Sequence, residues 1–164
     1  MKAPVLRVQA ALAALGLDRG VIELDRSAHT AHQAADALGV TVGRIAKSLV
    51  FTVDERPVLV IASGANRVDE GKLTGLLGGR VRRADADTVR RATGFSIGGV
   101  APLAHETELP VVIDEDLLGH DVIYAAAGVP ECVFPLSPAE LVRATGGRVA
   151  DLKERPVPLE GETA

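Results

Sequence analysis

RIAKSLVFTVDERPVLVIA, residues 44–62, decides the fold. Residues 44–53 read as one β-strand, 54–57 as a turn, and 58–62 as a buried strand that returns beside the first. One residue disturbs this hairpin. Side chains alternate faces along a strand. Ile45, Lys47, Leu49 and Phe51 therefore share one face, and Ala46, Ser48 and Val50 share the other. Lys47 points the same way as three bulky apolar groups. Three readings are open. The stem packs while the ammonium reaches solvent. The ammonium pairs with a buried acid such as Asp36 or Asp114. Or the face is a pocket wall, where the lysine meets a phosphate or a developing oxyanion.

Outward from the hairpin, helix signals recur. Residues 4–15 read as a helix, with Pro4 in its first turn and Gly16 at its end. VIEL, 21–24, is a short strand. Thr30 and Gln33 form a capping box ahead of a helix that stops at Gly39. Helices are expected over 69–77 and 85–92, with a VRRA strand between them. A glycine-rich loop, GFSIGGVAP, spans 94–102. Strands are expected at 109–114, 122–127 and 132–136. Ser137, Pro138 and Glu140 then open a last helix that ends at Gly146. Strand and helix do not alternate regularly. The order predicts an α/β fold of mixed type, with a mixed β-sheet or barrel surrounded by helices.

The chain has 164 residues, of which 47% are apolar and only 2% aromatic. That length suits one compact domain, expected over 1–152, with a mobile tail over 153–164. Val, Leu, Ile and Ala must fill its core. The formal net charge of −4 is not that of a generally basic nucleic-acid binder. A local basic patch is offered by Arg80, Arg82, Arg83, Arg90 and Arg91, though each arginine taken singly reads more readily as solvated surface. No apolar run is long enough to span a membrane and no secretory signal is evident, so a cytoplasmic location is expected.

Several catalytic chemistries lack their motifs. His29, His32, His105 and His120 form no HExxH or Cys/His metal pattern. Cys132, the single cysteine, sits in an apolar run and reads as a small buried hydrophobe. The serines at 27, 48, 63, 96 and 137 include no GxSxG elbow. The glycine loop is neither a Walker A sequence nor GxGxxG. Gly94, Gly98 and Gly99 could turn backbone N–H groups toward a ligand, or simply make a turn.

Taken in order, AADALGV, IAKSLVF, TGFSIGGVAPLAH, VVIDEDLL, AAAG and FPLSPAELVRATGG resemble the YbaK/EbsC-type family. These are aminoacyl-tRNA editing domains also associated with bacterial prolyl-tRNA synthetase. The resemblance runs from about residue 28 to 149. It implies hydrolysis of the ester joining a wrong, small amino acid to tRNA, without metal or cofactor. Water or the neighbouring ribose hydroxyl would serve as nucleophile or positioning group. It implies a catalytic role for Lys47, Gly98 and Gly99. Substrate contacts are implied for Ser48, Gly94, Ser96, Pro102, Asp114 and Gly128. The expected partners are the acceptor end of a mischarged tRNA and an aminoacyl-tRNA synthetase, with no membrane. A single-stranded acceptor end needs a small site, which an acidic protein can supply.

The chain departs from the family at Ala125-Ala126-Ala127-Gly128-Val129-Pro130-Glu131, and at Leu103-Ala104 after Pro102. These changes fall where the amino acid would sit. They keep two alternatives in view: a non-catalytic module binding a nucleotide, an aminoacyl adenosine or a protein, and a general small-ester or phosphoester hydrolase.

Overall fold

The structure is a computed structural model that describes residues 2–17, 19–25 and 28–155. Ser27, Pro156 and Pro158 lie outside them. Its elements follow the expected order: α1 (Ala3–Ala14), β1 (Ile22–Glu23), α2 (Ala31–Leu38), β2 (Ile45–Val53), β3 (Arg56–Ser63), α3 (Glu70–Leu77), β4 (Val81–Arg83), α4 (Ala86–Thr93), β5 (Val111–Asp114), β6 (Ile123–Ala126), β7 (Cys132–Leu136), α5 (Pro138–Thr145) and β8 (Arg148–Ala150). The caps behave as their residue types dictate. Thr30 and Ser137 each close a capping box, and Gly39, Gly94 and Gly146 end their helices in the left-handed conformation.

All eight strands join one mixed sheet in the order β1-β7-β6-β2-β3-β5-β8, with β4 attached to β2. The β2–β3 hairpin is its centre, paired from Val53↔Arg56 to Ala46↔Ser63. Its turn is only Asp54-Glu55, both at positive φ, which is how a two-residue turn matches strand twist. The parallel strand β8 was not expected. It has three residues and no alternation, so nothing in its sequence marks it.

Helices cover both faces. Val5, Val8 and Leu12 of α1, Val89 of α4 and Leu141 of α5 form the main core with Ala46, Val50, Leu59 and Ile61. On the other face, α3 places Leu73 against Phe51, Val58, Val60 and Val112, with Leu49 at the margin. A separate cluster joins Ala34 and Ala35 of α2 to Ile45 and Tyr124. Lys47 thus stands between two helix-covered patches of one sheet face.

The boundary at residue 152 needs correction. Lys153 Nζ pairs with Asp116 at 2.8 Å, Lys153 bridges Val68, and Glu154 N–H donates to Arg67 O at 2.8 Å. Lys153 and Glu154 belong to the domain.

Candidate active site

The inner edge of β2, opposite β3, changes partner along its length. Parallel β6 pairs with it at Ile45 and Ala46. Antiparallel β4 pairs with it from Phe51 to Val53. Between them, residues 47–49 have no strand partner on that side among the described residues. Backbone polar groups alternate sides along a strand. Ile45 O accepts from Gly64 on the β3 side, and Val50 O accepts from Ala84 on the β4 side. Even-numbered residues of β2 therefore face the inner edge. Ser48 is the residue whose N–H and C=O look into the gap.

A cavity of about 230 Å³ opens at this gap. It is lined by every residue from 45 to 50, by Ala28–Ala31 ahead of and at the start of α2, and by Tyr124, Ala126, Arg83, Val89, Ile97, Gly98 and Val100. Six consecutive strand residues cannot all touch a cavity lying on one face of a sheet. They can do so only at an open edge. The pocket wall expected on the Ile45–Phe51 face is therefore an edge, and Phe51 lies beyond it in the α3 cluster.

Among the described residues, Lys47 pairs with no acid. It is partly buried, and its Nζ donates to the carbonyl of Asn66 at 2.6 Å. Burial pushes the ammonium below the usual lysine range. Arg83 and Arg67 add to that, and Asp114 opposes it. Asn66 is itself fixed, because its Nδ2 donates to Asp114 and Asp116 at 2.9 Å each. Asp114 is 1% exposed and also accepts from Ser63 N–H and Asp116 N–H, both at 3.0 Å. Asp114 does not line the cavity. It anchors the loop that holds Lys47.

The glycine segment divides in the same way. Gly98 lines the cavity at φ +88°, with Ile97 and Val100 beside it. Gly99 does not. A Cβ there would lie 2.9 Å from the Gly128 carbonyl oxygen and from Val129 Cα. Gly128, at φ +99°, is pressed against the Pro4 backbone of α1. Gly94 caps α4 beside the Arg7 guanidinium. Ser96 Oγ accepts from Arg90 at 2.7 Å, and Pro102 is buried. Lys47, Ser48 and Gly98 are brought together. Gly94, Ser96, Gly99, Pro102, Asp114 and Gly128 are not among the residues that line the cavity.

Sequence reading missed Asn66, Arg67 and Gly64. Any Cβ on Gly64 would meet Val42 O at 2.5 Å, so this tight turn needs glycine. It also left Arg83 unplaced. Arg83 pairs with Phe51 in register, so it shares the face of Lys47, and its guanidinium lies 5.4 Å from the Phe51 ring centroid. A second groove of about 530 Å³ adjoins the cavity through Arg83 and Ala84, and adds Arg82 and Arg91.

Other reactive groups lie elsewhere. Burial pushes the Cys132 thiol up, as for an inert core cysteine. His105 bonds to Ala101 O at 2.7 Å, and burial lowers its pKa. His29 reaches the cavity rim. Among the described residues, no three His, Cys, Asp or Glu side chains gather as a metal-holding group. None of the described helices is long and apolar enough to cross a membrane.

A mixed sheet with an open edge, and a partly buried lysine and a glycine loop beside one cavity, define a small α/β domain. Residues 25–144 match the aminoacyl-tRNA editing domain, and the chain belongs to that family. YwhH of Bacillus subtilis, an uncharacterized protein, is 35% identical over 127 residues, covering 76% of this chain and 80% of YwhH. EbsC of Enterococcus faecalis, a proposed Cys-tRNA(Pro)/Cys-tRNA(Cys) deacylase, is 28% identical over 75% of this chain and 76% of its own. Among solved structures, a proposed trans-editing enzyme for prolyl tRNA synthetase is 47% identical. It superposes with a TM-score of 0.91 over 94% of this chain and 99% of its own. The chain also matches proline–tRNA ligase of Lactobacillus gasseri at 34% identity, but spans only 18% of that ligase.

Proposed function

We propose that the chain is an aminoacyl-tRNA deacylase acting in trans, which hydrolyses the ester of a mischarged small amino acid without a metal. One observation carries the reading: Lys47, the open edge of β2 and Gly98 line a single cavity. Its volume of about 230 Å³ lies below the roughly 300–1,000 Å³ of sites for drug-sized ligands, which suits a small acyl group.

An aminoacyl ester needs little activation, so placement and charge stabilisation suffice. Lys47, held by Asn66, offers a positive charge to the carbonyl oxygen as the tetrahedral intermediate forms. Water, or the ribose hydroxyl beside the ester, attacks or positions the attack. Arg83 and Arg67 contribute to the field at Lys47 and are suited to meet acceptor-end phosphates. The similarity to the proposed trans-editing enzyme and to EbsC supports this reading. So does the partial match to a proline–tRNA ligase, which makes a synthetase the expected partner.

The test is a deacylation panel across mischarged tRNAs bearing small amino acids. Hydrolysis of at least one, faster than of the same acyl group on a simple alcohol, is expected. No turnover on any, with tight binding of an aminoacyl-adenosine analogue, would replace the enzyme by a binding module. Equal turnover on simple esters would make it a general esterase.

A further inference from the structure

The Ser48 hydroxyl is buried and has no hydrogen-bond partner among the described residues. It sits on the main-core side of β2, between Ala46 and Val50 and across from Ile61, where nothing apolar can satisfy it. A buried hydroxyl left unpaired bears its full desolvation penalty, and alanine would fill the same space without it. The same residue holds the only backbone N–H and C=O of β2 aimed wholly into the gap between β6 and β4. Ser48, a residue of the cavity wall next in sequence to Lys47, therefore carries a buried hydroxyl and an edge carbonyl that both lack a partner among the described residues.

We propose that Ser48 is a specificity residue that receives the α-amino group of the bound aminoacyl ester. The inference rests on the deacylase reading above and adds the group that distinguishes an aminoacyl ester from any other acyl ester. An amine next to the ester carbonyl needs an acceptor close to the oxyanion site, and Ser48 O and Oγ supply two. A neutral amine can also accept the hydroxyl proton, which pairs every polar group involved. The cavity wall contains Lys47 and Arg83 and no described carboxylate, so its field favours the neutral amine over the ammonium. An acyl group without the amine would leave the hydroxyl and the carbonyl unpaired, the strongest kind of discrimination available to a small site.

The test is a cycle between Ser48→Ala and removal of the amine, with alanyl-tRNA and propionyl-tRNA as the probe pair. Wild-type preference for the alanyl ester, as a ratio of kcat/KM, should fall about tenfold in Ser48→Ala. Ser48→Thr, which keeps the hydroxyl, should retain it. Thermal unfolding provides an arm independent of catalysis: Ser48→Ala should melt about 2–4 °C higher than wild type. A preference unchanged by Ser48→Ala, or a lower melting point for it, would overturn the proposal. If the wild type hydrolyses no aminoacyl ester, the deacylase reading fails by itself. Binding of non-hydrolysable 3′-amide analogues with and without the amine then decides on Ser48, tighter binding of the amine form by wild type alone being the supporting result and equal binding the contrary one.

Discussion

The two walls of the cavity differ in how much of themselves they give to it. Strand β2 gives six consecutive residues, because its edge is open there. The glycine loop gives Ile97, Gly98 and Val100, and spends its other glycines on packing. Both walls carried an unusual residue pattern, and only the strand's lies mostly along the cavity. A lysine on an apolar face has few structural uses. A glycine has many: Gly94 ends a helix at positive φ, and Gly99 lets two backbones approach closely.

The largest expected effect lies on the strand. Lys47→Ala should lower deacylation by about 10²–10³-fold, the scale of losing one oxyanion donor, while the melting temperature stays near that of wild type. An unchanged rate would shift the chemistry to the loop. Next comes a pair within the loop. Gly99→Ala pushes a methyl into the Gly128–Val129 backbone and should cost about 1–3 kcal/mol in denaturant unfolding. Gly98→Ala meets only Pro130 Cγ at 3.5 Å, so its cost is backbone strain, about 1–2 kcal/mol, with a methyl added at the cavity mouth. The two should separate by readout: stability for Gly99, turnover for Gly98. Equal losses of both in both variants would erase the division between wall and support.

Smaller effects probe the charges around Lys47. Arg83→Ala should weaken tRNA binding and reduce the salt dependence of log K by about 0.7–0.9, the contribution of one phosphate contact. The pH dependence of stability has a definite sign. Lys47 has a folded-state pKa below its unfolded one, so its charge penalises the fold at any pH below the folded value. That penalty is relieved as pH rises from the folded pKa toward the unfolded value of about 10.4. In paired urea titrations across this window, wild type should gain stability relative to Lys47→Met. A flat difference would mean that the ammonium feels no burial.

The helix caps, the hairpin and the order of elements were legible because each rests on local chemistry. Thr30 with Gln33 and Ser137 with Glu140 bond within three residues, and no distant contact is needed to read them. The edge was not legible. It exists because β6 leaves β2 after Ala46 and β4 joins it only at Phe51, and strand pairing over such separations leaves no trace in periodicity. Asp114 was legible as an important strand-end acid but not as an anchor, since its partners Ser63 and Asn66 come from another strand and loop. Asn66 meets Lys47 through its backbone carbonyl, which every residue has, and its side-chain partners Asp114 and Asp116 lie about 50 residues away, so nothing local announced it.

The central claim is that the acyl ester lies at the open edge of β2 beside Lys47. Titration of the isotope-labelled protein with a 3′-aminoacylamido-3′-deoxyadenosine, followed through backbone amide shifts, tests it most directly. The account predicts that the Ser48, Leu49 and Gly98 amides move most, and that the Ser48 amide slows in hydrogen exchange as its free N–H gains a partner. Shifts confined to the Arg82–Arg91 groove or to the surroundings of Cys132, with Ser48 unmoved, would contradict it.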